Sequence, residues 1–335
     1  MKKIFVTIPE GNIKATFMPK HVRKFADEMF DVTYNETDRQ LTAEELKDIL
    51  IDYDGVITGW GSAMLDKSVL EGNDRLKLIA HTGGTVGNLV EEYAYEKGIT
   101  VMSGNMLYAE SVAEGTIAYM LMSQRRIPDF VDRVREGQWR DESALWEGLL
   151  DKTVGIVGLG TISRIVIKML QIFRCKIKVY SGYDIEDSFI EENHCEVATL
   201  DEIFSECDII SVHSALNDKT RGLVTKSHFE QIKEGALFIN TARGAVIDEE
   251  ALIEELKKNR FRAVLDVYVT EPLTENSLLR TLPNVYALPH MAGPTSDRRD
   301  YITKELLKEM QGFFDGAKNS YLEISAEFAK RMTKM

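Results

Sequence analysis

Residues 153–163 read TVGIVGLGTIS, an apolar β-branched run that enters two glycines and leaves into the amphipathic pattern TISRIVIKMLQIF. Strand, tight turn and helix in that order form the setting in which a Gly-x-Gly-x-x-Gly string binds a dinucleotide. Gly158 permits the tight turn, and Gly160 lets the backbone approach a pyrophosphate, whose charge suits the helix N-terminus. Thr161 and Ile162, which open the helix, complete the candidate phosphate contacts. The third fingerprint position is Ser163, so strand and helix must tolerate one small polar side chain. The next strand, KIKVYS, ends at Ser181, where the fingerprint normally supplies an acid for the adenosine ribose. Asp184 either curls back to that task or is a plain loop carboxylate. The string SGYDIED holds no Lys or Arg and would repel an extra phosphate, which favours NAD over NADP.

The same alternation runs through most of the chain. KKIFVTI, DVTYN, GVITGW, LKLIAHTGG and ITVMS read as strands separated by helical patterns, so residues 1–102 form one small α/β unit. Thr42 is an expected N-cap, with Glu45 at the capping-box position. Residues 109–126 form a long apolar helix, either a core helix or a subunit-facing one, and an irregular stretch with Trp139 and Trp146 leads to Leu150. The alternation then starts afresh at KTVGIVGLG and continues through DIISVHS, GALFINTA, AVLDVYV and VYALPH. Helical segments are expected near 225–233, 248–259 and 276–281, and again from Ser296 onward. With 335 residues, a division into two domains is the natural expectation.

Composition removes several function classes. Against 41 Lys and Arg stand 54 Asp and Glu, a formal charge of -13 that disfavours a non-specific nucleic-acid binder. No run approaches the ~18 apolar residues of a membrane span, and the opening MKKIFVTIPEG lacks the long apolar segment of a secretory signal. A cytoplasmic location without membrane partners is the corresponding expectation. Cys175, Cys195 and Cys207 have neither an even count nor metal-like spacing, so no metal is expected.

Removing a hydride from a secondary alcohol leaves a carbonyl and a proton. The chemistry therefore needs a base at the oxygen and a cation for any carboxylate. Arg243 follows the strand GALFI, Glu271 follows LDVYV, and His290 ends ALPH. A parallel sheet gathers the ends of successive strands along one edge, where such folds bind ligands. Taken singly, Arg243 also reads as a surface cation, Glu271 as a helix-start carboxylate and His290 as a satisfied loop imidazole.

In order and spacing, the strings LKLIAHTGG, GITVMSGNMLYAESVAE, VGIVGLGTIS, SVHSALNDKTRGLV, GALFINTARGAVIDEEAL, LDVYVTEPL and LPNVYALPHMAG resemble the D-isomer-specific 2-hydroxyacid dehydrogenase family over nearly the full length. The resemblance implies a Rossmann-type doubly wound cofactor domain, residues 103–298, inserted into a smaller flavodoxin-like α/β substrate domain of residues 1–102 and 299–335. It places the family's catalytic arginine, glutamate and histidine on Arg243, Glu271 and His290. It also implies a homodimer through the cofactor domains, using the helix near 109–126 and the Trp139 region.

On that resemblance, amides of Gly83, Gly84 and Thr85 hold the substrate carboxylate together with Arg243. Asp266 reaches the nicotinamide carboxamide, Thr241 and Ala242 line the ring, Val112 packs near it, and His213 and Ala215 follow the strand beside the dinucleotide. The substrate implied is a small 2-hydroxy or 2-keto acid, with NAD as cofactor and His290 as acid/base. Two departures stand out: GGTVGN where the family reads close to GxGxDN, and Met291 and Pro294 beside the histidine. A catalytically silent NAD-binding regulator would keep GLGTIS and lose Arg243, Glu271 and His290. A relative acting on another anion, such as a phosphonate, would keep all three and differ in the pocket.

Overall fold

The structure, a computed structural model, describes residues 1–139 and 146–333. The middle of the stretch read as irregular, 140–145, and the last two residues of the expected substrate domain lie outside the described residues. The chain divides into two compact units, Met1–Ala109 with Pro294–Met335, and Glu110–Gly293. These divisions fall seven and five residues from those expected at 102/103 and 298/299, because burial decides them. The helix Asn105–Gln124 gives Leu107 to the core of the first unit and Ala113 to that of the second. The helix Ser296–Phe314 lies wholly with the first unit, where it buries Ile302, Leu306, Leu307 and Met310.

The first unit is built on five parallel strands, β1 (Lys3–Val6), β2 (Asp31–Tyr34), β3 (Gly55–Thr58), β4 (Leu78–His81) and β5 (Thr100–Ser103). Their order is β2-β1-β3-β4-β5, the flavodoxin-like arrangement. Side chains alternate between two buried faces. Ile4, Val6, Ile57, Leu78 and Ala80 meet the Ser296–Phe314 helix, while Phe5, Val56, Ile79 and Val101 meet Leu46 and Leu50. The capping box forms as read from the sequence: Glu45 N–H donates to Thr42 Oγ1 at 3.2 Å and Thr42 N–H to Glu45 Oε2 at 2.9 Å.

The second unit carries seven parallel strands, β6 (Thr153–Val157), β7 (Lys176–Tyr180), β8 (Cys195–Val197), β9 (Ile209–Val212), β10 (Leu237–Asn240), β11 (Arg262–Leu265) and β12 (Val285–Ala287). The order β12-β11-β10-β9-β6-β7-β8 reverses at β6/β9, the switch point of a doubly wound sheet. Sequence reading missed β8 and the helices Asp187–Glu192 and Leu200–Glu206. β8 is an edge strand of three residues, with no buried one to set a period. It also missed the helix Ile127–Arg135, which buries no side chain and follows a left-handed break at Arg126 (φ 51°). The segment read as helical near 276–281 is one 3-10 turn, Leu278–Arg280. No described helix is long and apolar enough to cross a membrane.

His81 closes β4 and props the glycine loop that follows. It is 6% exposed, its Nδ1 lies 2.9 Å from Thr58 Oγ1, and a Cβ on Gly83 would come within 2.3 Å of its Nε2. Burial pushes its pKa from the ordinary 6.5 down to about 4. The unfolded chain therefore takes up this proton first as pH falls. Stability carried by neutral His81 is complete above the unfolded value and is lost as pH drops toward the folded one. We expect stability against urea to decline between about pH 6.5 and 4.5 by up to about 3 kcal/mol from this group. The decline should be shallower in His81→Asn. An identical slope in the variant would identify some other group as the one that titrates.

Candidate active site

β10, β11 and β12 are neighbours in register, Asn240 beside Leu265 and Leu265 beside Ala287, so the loops leaving their carboxyl ends start side by side. Arg243, Glu271 and His290 sit on these three loops. His290 Nδ1 lies 2.7 Å from Glu271 Oε2, and Glu271 Oε1 accepts the Tyr268 N–H at 3.1 Å. The carboxylate is thus oriented by backbone on one side and holds the imidazole with the other, which leaves Nε2 as the imidazole's outward nitrogen. The His290 side chain is 48% exposed, and its backbone has a left-handed φ of 52°, uncommon for a residue with a Cβ.

Several contacts that sequence reading did not foresee hold this geometry. Gly244 lies so close to the third loop residue of β11 that a Cβ would sit 1.9 Å from the Tyr268 carbonyl carbon, which locks the arginine loop against the glutamate loop. The Tyr268 hydroxyl is 2.9 Å from Leu265 O and 2.8 Å from Leu288 O, spanning the ends of β11 and β12. Asp266 is 1% exposed; its Oδ1 accepts from Met291 N–H (2.8 Å) and Tyr119 O–H (3.2 Å), and its Oδ2 from Ala292 N–H (2.9 Å). The residue expected beside the nicotinamide carboxamide therefore anchors the backbone immediately after His290.

Arg243 is held by its own loop. Asn240 Nδ2 donates to Arg243 O at 3.1 Å, Asn240 Oδ1 accepts from Ala242 N–H, and Arg243 Nη1 donates to Ala242 O at 2.6 Å. Its Nε is buried with no partner, which is a cation arranged for an acceptor the protein does not supply. Burial lowers the guanidinium pKa, and the charge of Glu271 opposes that shift.

The dinucleotide residues fit their group. Gly158 (φ 100°) follows β6 at the switch point, where a Cβ would meet Ser214 Oγ at 2.5 Å and Ser214 N at 2.7 Å, so only glycine makes this turn. At Gly160 a Cβ would meet nothing within 4 Å, so the backbone faces open space at the N-cap of the helix Thr161–Leu170. Ser163, the departure from the fingerprint, is fully buried and accepts the Gly160 N–H at 2.8 Å, completing the cap. Thr161 and Ile162 form the half-buried first turn. His213 and Ala215 follow β9, with His213 Nε2 2.8 Å from Ser211 Oγ. Thr241 Oγ1 lies 3.3 Å from Thr116 Oγ1 of the helix that also carries Val112. Ser181 turns into its own loop, its Oγ accepting from Tyr183 N–H at 3.1 Å, and Asp184 is exposed. Arg164, a cation absent from the string after β7, pairs with Glu186 of that loop and covers the Phe189 ring.

The expected substrate loop belongs to the first unit. Among the described residues, the N–H groups of Gly83, Gly84 and Thr85 have no acceptor within the protein, while the carbonyls of Gly83 and Gly84 accept from Gly104 N–H and Ser103 O–H. The departure at Thr85 has a local role. Its hydroxyl donates to Thr333 O at 3.1 Å and accepts from Gly87 N–H at 3.2 Å.

Residues 117–292 match the family described as D-isomer specific 2-hydroxyacid dehydrogenase, NAD binding domain. The chain belongs to this family. It is an NAD-dependent oxidoreductase acting on small acids. The chain is 33% identical over 277 residues to hydroxypyruvate reductase of Thermotoga maritima, covering 82% of this chain and 89% of that one. It is 33% identical over 318 residues to D-3-phosphoglycerate dehydrogenase of Methanocaldococcus jannaschii, covering 93% of this chain and only 58% of the relative. Among solved structures, a phosphoglycerate oxidoreductase from Rhizobium etli shares the fold with a TM-score of 0.80 at 23% identity, covering 97% of this chain and 99% of that one.

The contact at Gly244 is the point at which a single methyl group should separate the loops that carry Arg243 and Glu271. Gly244→Ala is expected to lose at least about 2 kcal/mol of stability against urea. Gly160→Ala, whose added carbon meets open space, should unfold close to wild type. Equal midpoints for wild type and Gly244→Ala would contradict the close approach.

Proposed function

We propose that this enzyme interconverts a small 2-keto acid and the corresponding D-2-hydroxy acid with NAD(H), using His290 as the acid/base. The observation that carries this reading is the Glu271-held imidazole on the loop beside a half-buried Arg243 whose buried Nε lacks an acceptor. The nicotinamide, when bound, supplies the hydride to C2 in reduction and receives it in oxidation. His290 gives its Nε2 proton to the carbonyl oxygen in reduction and accepts the hydroxyl proton in oxidation. Glu271 fixes the ring's orientation through its contact with Nδ1. Arg243 clamps a carboxylate with its planar fork and supports charge on the reacting oxygen, and the unengaged amides of Gly83, Gly84 and Thr85 are donors suited to a substrate carboxylate.

NAD is the preferred cofactor in this proposal, because Ser181 leaves the ribose end uncharged and Arg164 is already paired with Glu186. The enzyme acts as a homodimer, with the apolar face of the Ile127–Arg135 helix as a natural part of the interface: Ile127, Val131 and Val134 are 49%, 42% and 55% exposed.

Arg243→Lys should leave NADH affinity near wild type and cut kcat/KM for a 2-keto acid by at least ~10²-fold, since a point charge replaces a fork. His290→Ala should suppress turnover in both directions with NADH binding intact. Substantial activity in either variant removes that residue from its role. At the ribose end, Ser181→Asp should raise the NADH-over-NADPH ratio of kcat/KM, because its carboxylate accepts ribose hydroxyls and repels the 2′-phosphate. A wild type that uses NADPH as well as NADH would defeat the proposed preference.

A further inference from the structure

The carboxyl edge of the first unit's sheet carries an aromatic cluster around one arginine. Arg299 stands in the first turn of the Ser296–Phe314 helix, an end where the macrodipole disfavours a cation. Its guanidinium carbon lies 5.6 Å from the Phe17 ring and 5.2 Å from the Trp60 ring. Nε donates to Pro294 O and Nη1 to Thr16 Oγ1, both at 3.3 Å. Both acceptors are neutral, and among the described residues no carboxylate pairs with this cation. The acids of its own helix turn are engaged elsewhere, Asp300 with His21 and Lys304, and Asp297 with Thr295.

The cluster continues to the glycine loop. Trp60, 38% exposed, meets Tyr108 edge-on at 6.3 Å, and the Tyr108 ring lies 3.5 Å from where a Cβ on Gly84 would be. The Tyr108 hydroxyl is buried without a hydrogen-bond partner, a second polar group lacking its acceptor. A fork held only by neutral acceptors, an orphan hydroxyl and two aromatic faces adjoin the loop whose amides are also free. Such a surface suits a ligand with an anion at each end and a short apolar span between.

We infer that Arg299 is a specificity-determining residue that recognises a second carboxylate at the far end of the substrate, making the preferred substrate a 2-keto dicarboxylic acid. The inference rests on the function proposed above, in which the Gly83–Thr85 loop holds the carboxylate next to the reacting carbon. Donor count favours a carboxylate over a phosphate. With Nε and one Nη1 hydrogen engaged, the end of the fork still matches two planar oxygens, but a phosphate dianion brings three and a larger charge.

The test compares substrates of equal chain length with NADH: 2-oxoglutarate against 2-oxovalerate, and oxaloacetate against 2-oxobutyrate, with phosphohydroxypyruvate as the phosphate arm. Wild type should favour each dicarboxylate over its neutral partner by at least about tenfold in kcat/KM. Arg299→Gln should lower that ratio at least about tenfold, chiefly through KM of the dicarboxylate, and Arg299→Lys should restore part of it. A wild-type ratio near one, a ratio unmoved by Arg299→Gln, or a preference for phosphohydroxypyruvate over both dicarboxylates overturns the inference. Turnover of the neutral acids with an unmoved ratio removes this inference alone. Failure to reduce any 2-keto acid removes the proposed function along with it.

Discussion

The grouping of Arg243, Glu271 and His290 depends on how closely two backbone segments approach. Gly244 lies against the Tyr268–Val269 peptide at a distance that admits no side chain, and this brings the loop after β10 into contact with the loop after β11. Arg243 belongs to the first and Glu271 to the second. The third loop is tied in by Tyr268, whose hydroxyl reaches the carbonyl of Leu288, and by the Asp266 carboxylate, which takes the N–H groups of Met291 and Ala292. His290 lies between these two attachments, in a left-handed conformation that its neighbours must sustain. Its imidazole is therefore positioned by backbone anchors on both sides before Glu271 adds its 2.7 Å contact.

Electrostatics act locally in this protein. The chain carries a net charge of -13, which by itself repels a small acid. At physiological ionic strength that field is screened beyond about 8 Å, so the cations near the binding groups decide recognition. Two arginines fit that purpose in the proposed reading: Arg243, half-buried with an unpartnered Nε, and Arg299, held on aromatic faces with no carboxylate paired to it among the described residues. Most other cations are engaged on the surface with acids, as Lys178 is with Glu196 and Glu206. Exposed pairs of that kind contribute little stability.

Much of the fold was legible because parallel sheets covered on both faces leave a strong signal. β6, β9 and β10 are apolar runs bounded by turn residues, and the fingerprint glycines follow β6 at the switch point. The elements that escaped notice bury little. β8 is a short edge strand with no buried residue to set a period, whereas the Ile127–Arg135 helix has an apolar period at Ile127, Val131 and Val134 that stays exposed and that sequence reading took for part of an irregular stretch. The unit boundaries were displaced for a related reason: a continuous helix divides its side chains between two cores, and only burial shows where the division falls.

By itself the sequence determined the chemical inventory: a dinucleotide turn at Gly158 and Gly160, and an arginine, a glutamate and a histidine following successive strands. Residue type and strand order suffice for that, since parallel strands share a carboxyl edge. Only the tertiary structure decided what each group is free to do. Asp266 is taken up by the backbone after His290, Ser181 and Thr85 turn into their own surroundings, and Arg164 meets Glu186. Arg299 comes to rest on Phe17 and Trp60, residues more than two hundred positions away in the chain. Hydrogen-bond partners and burial are set by neighbours in space, and a linear string records neither.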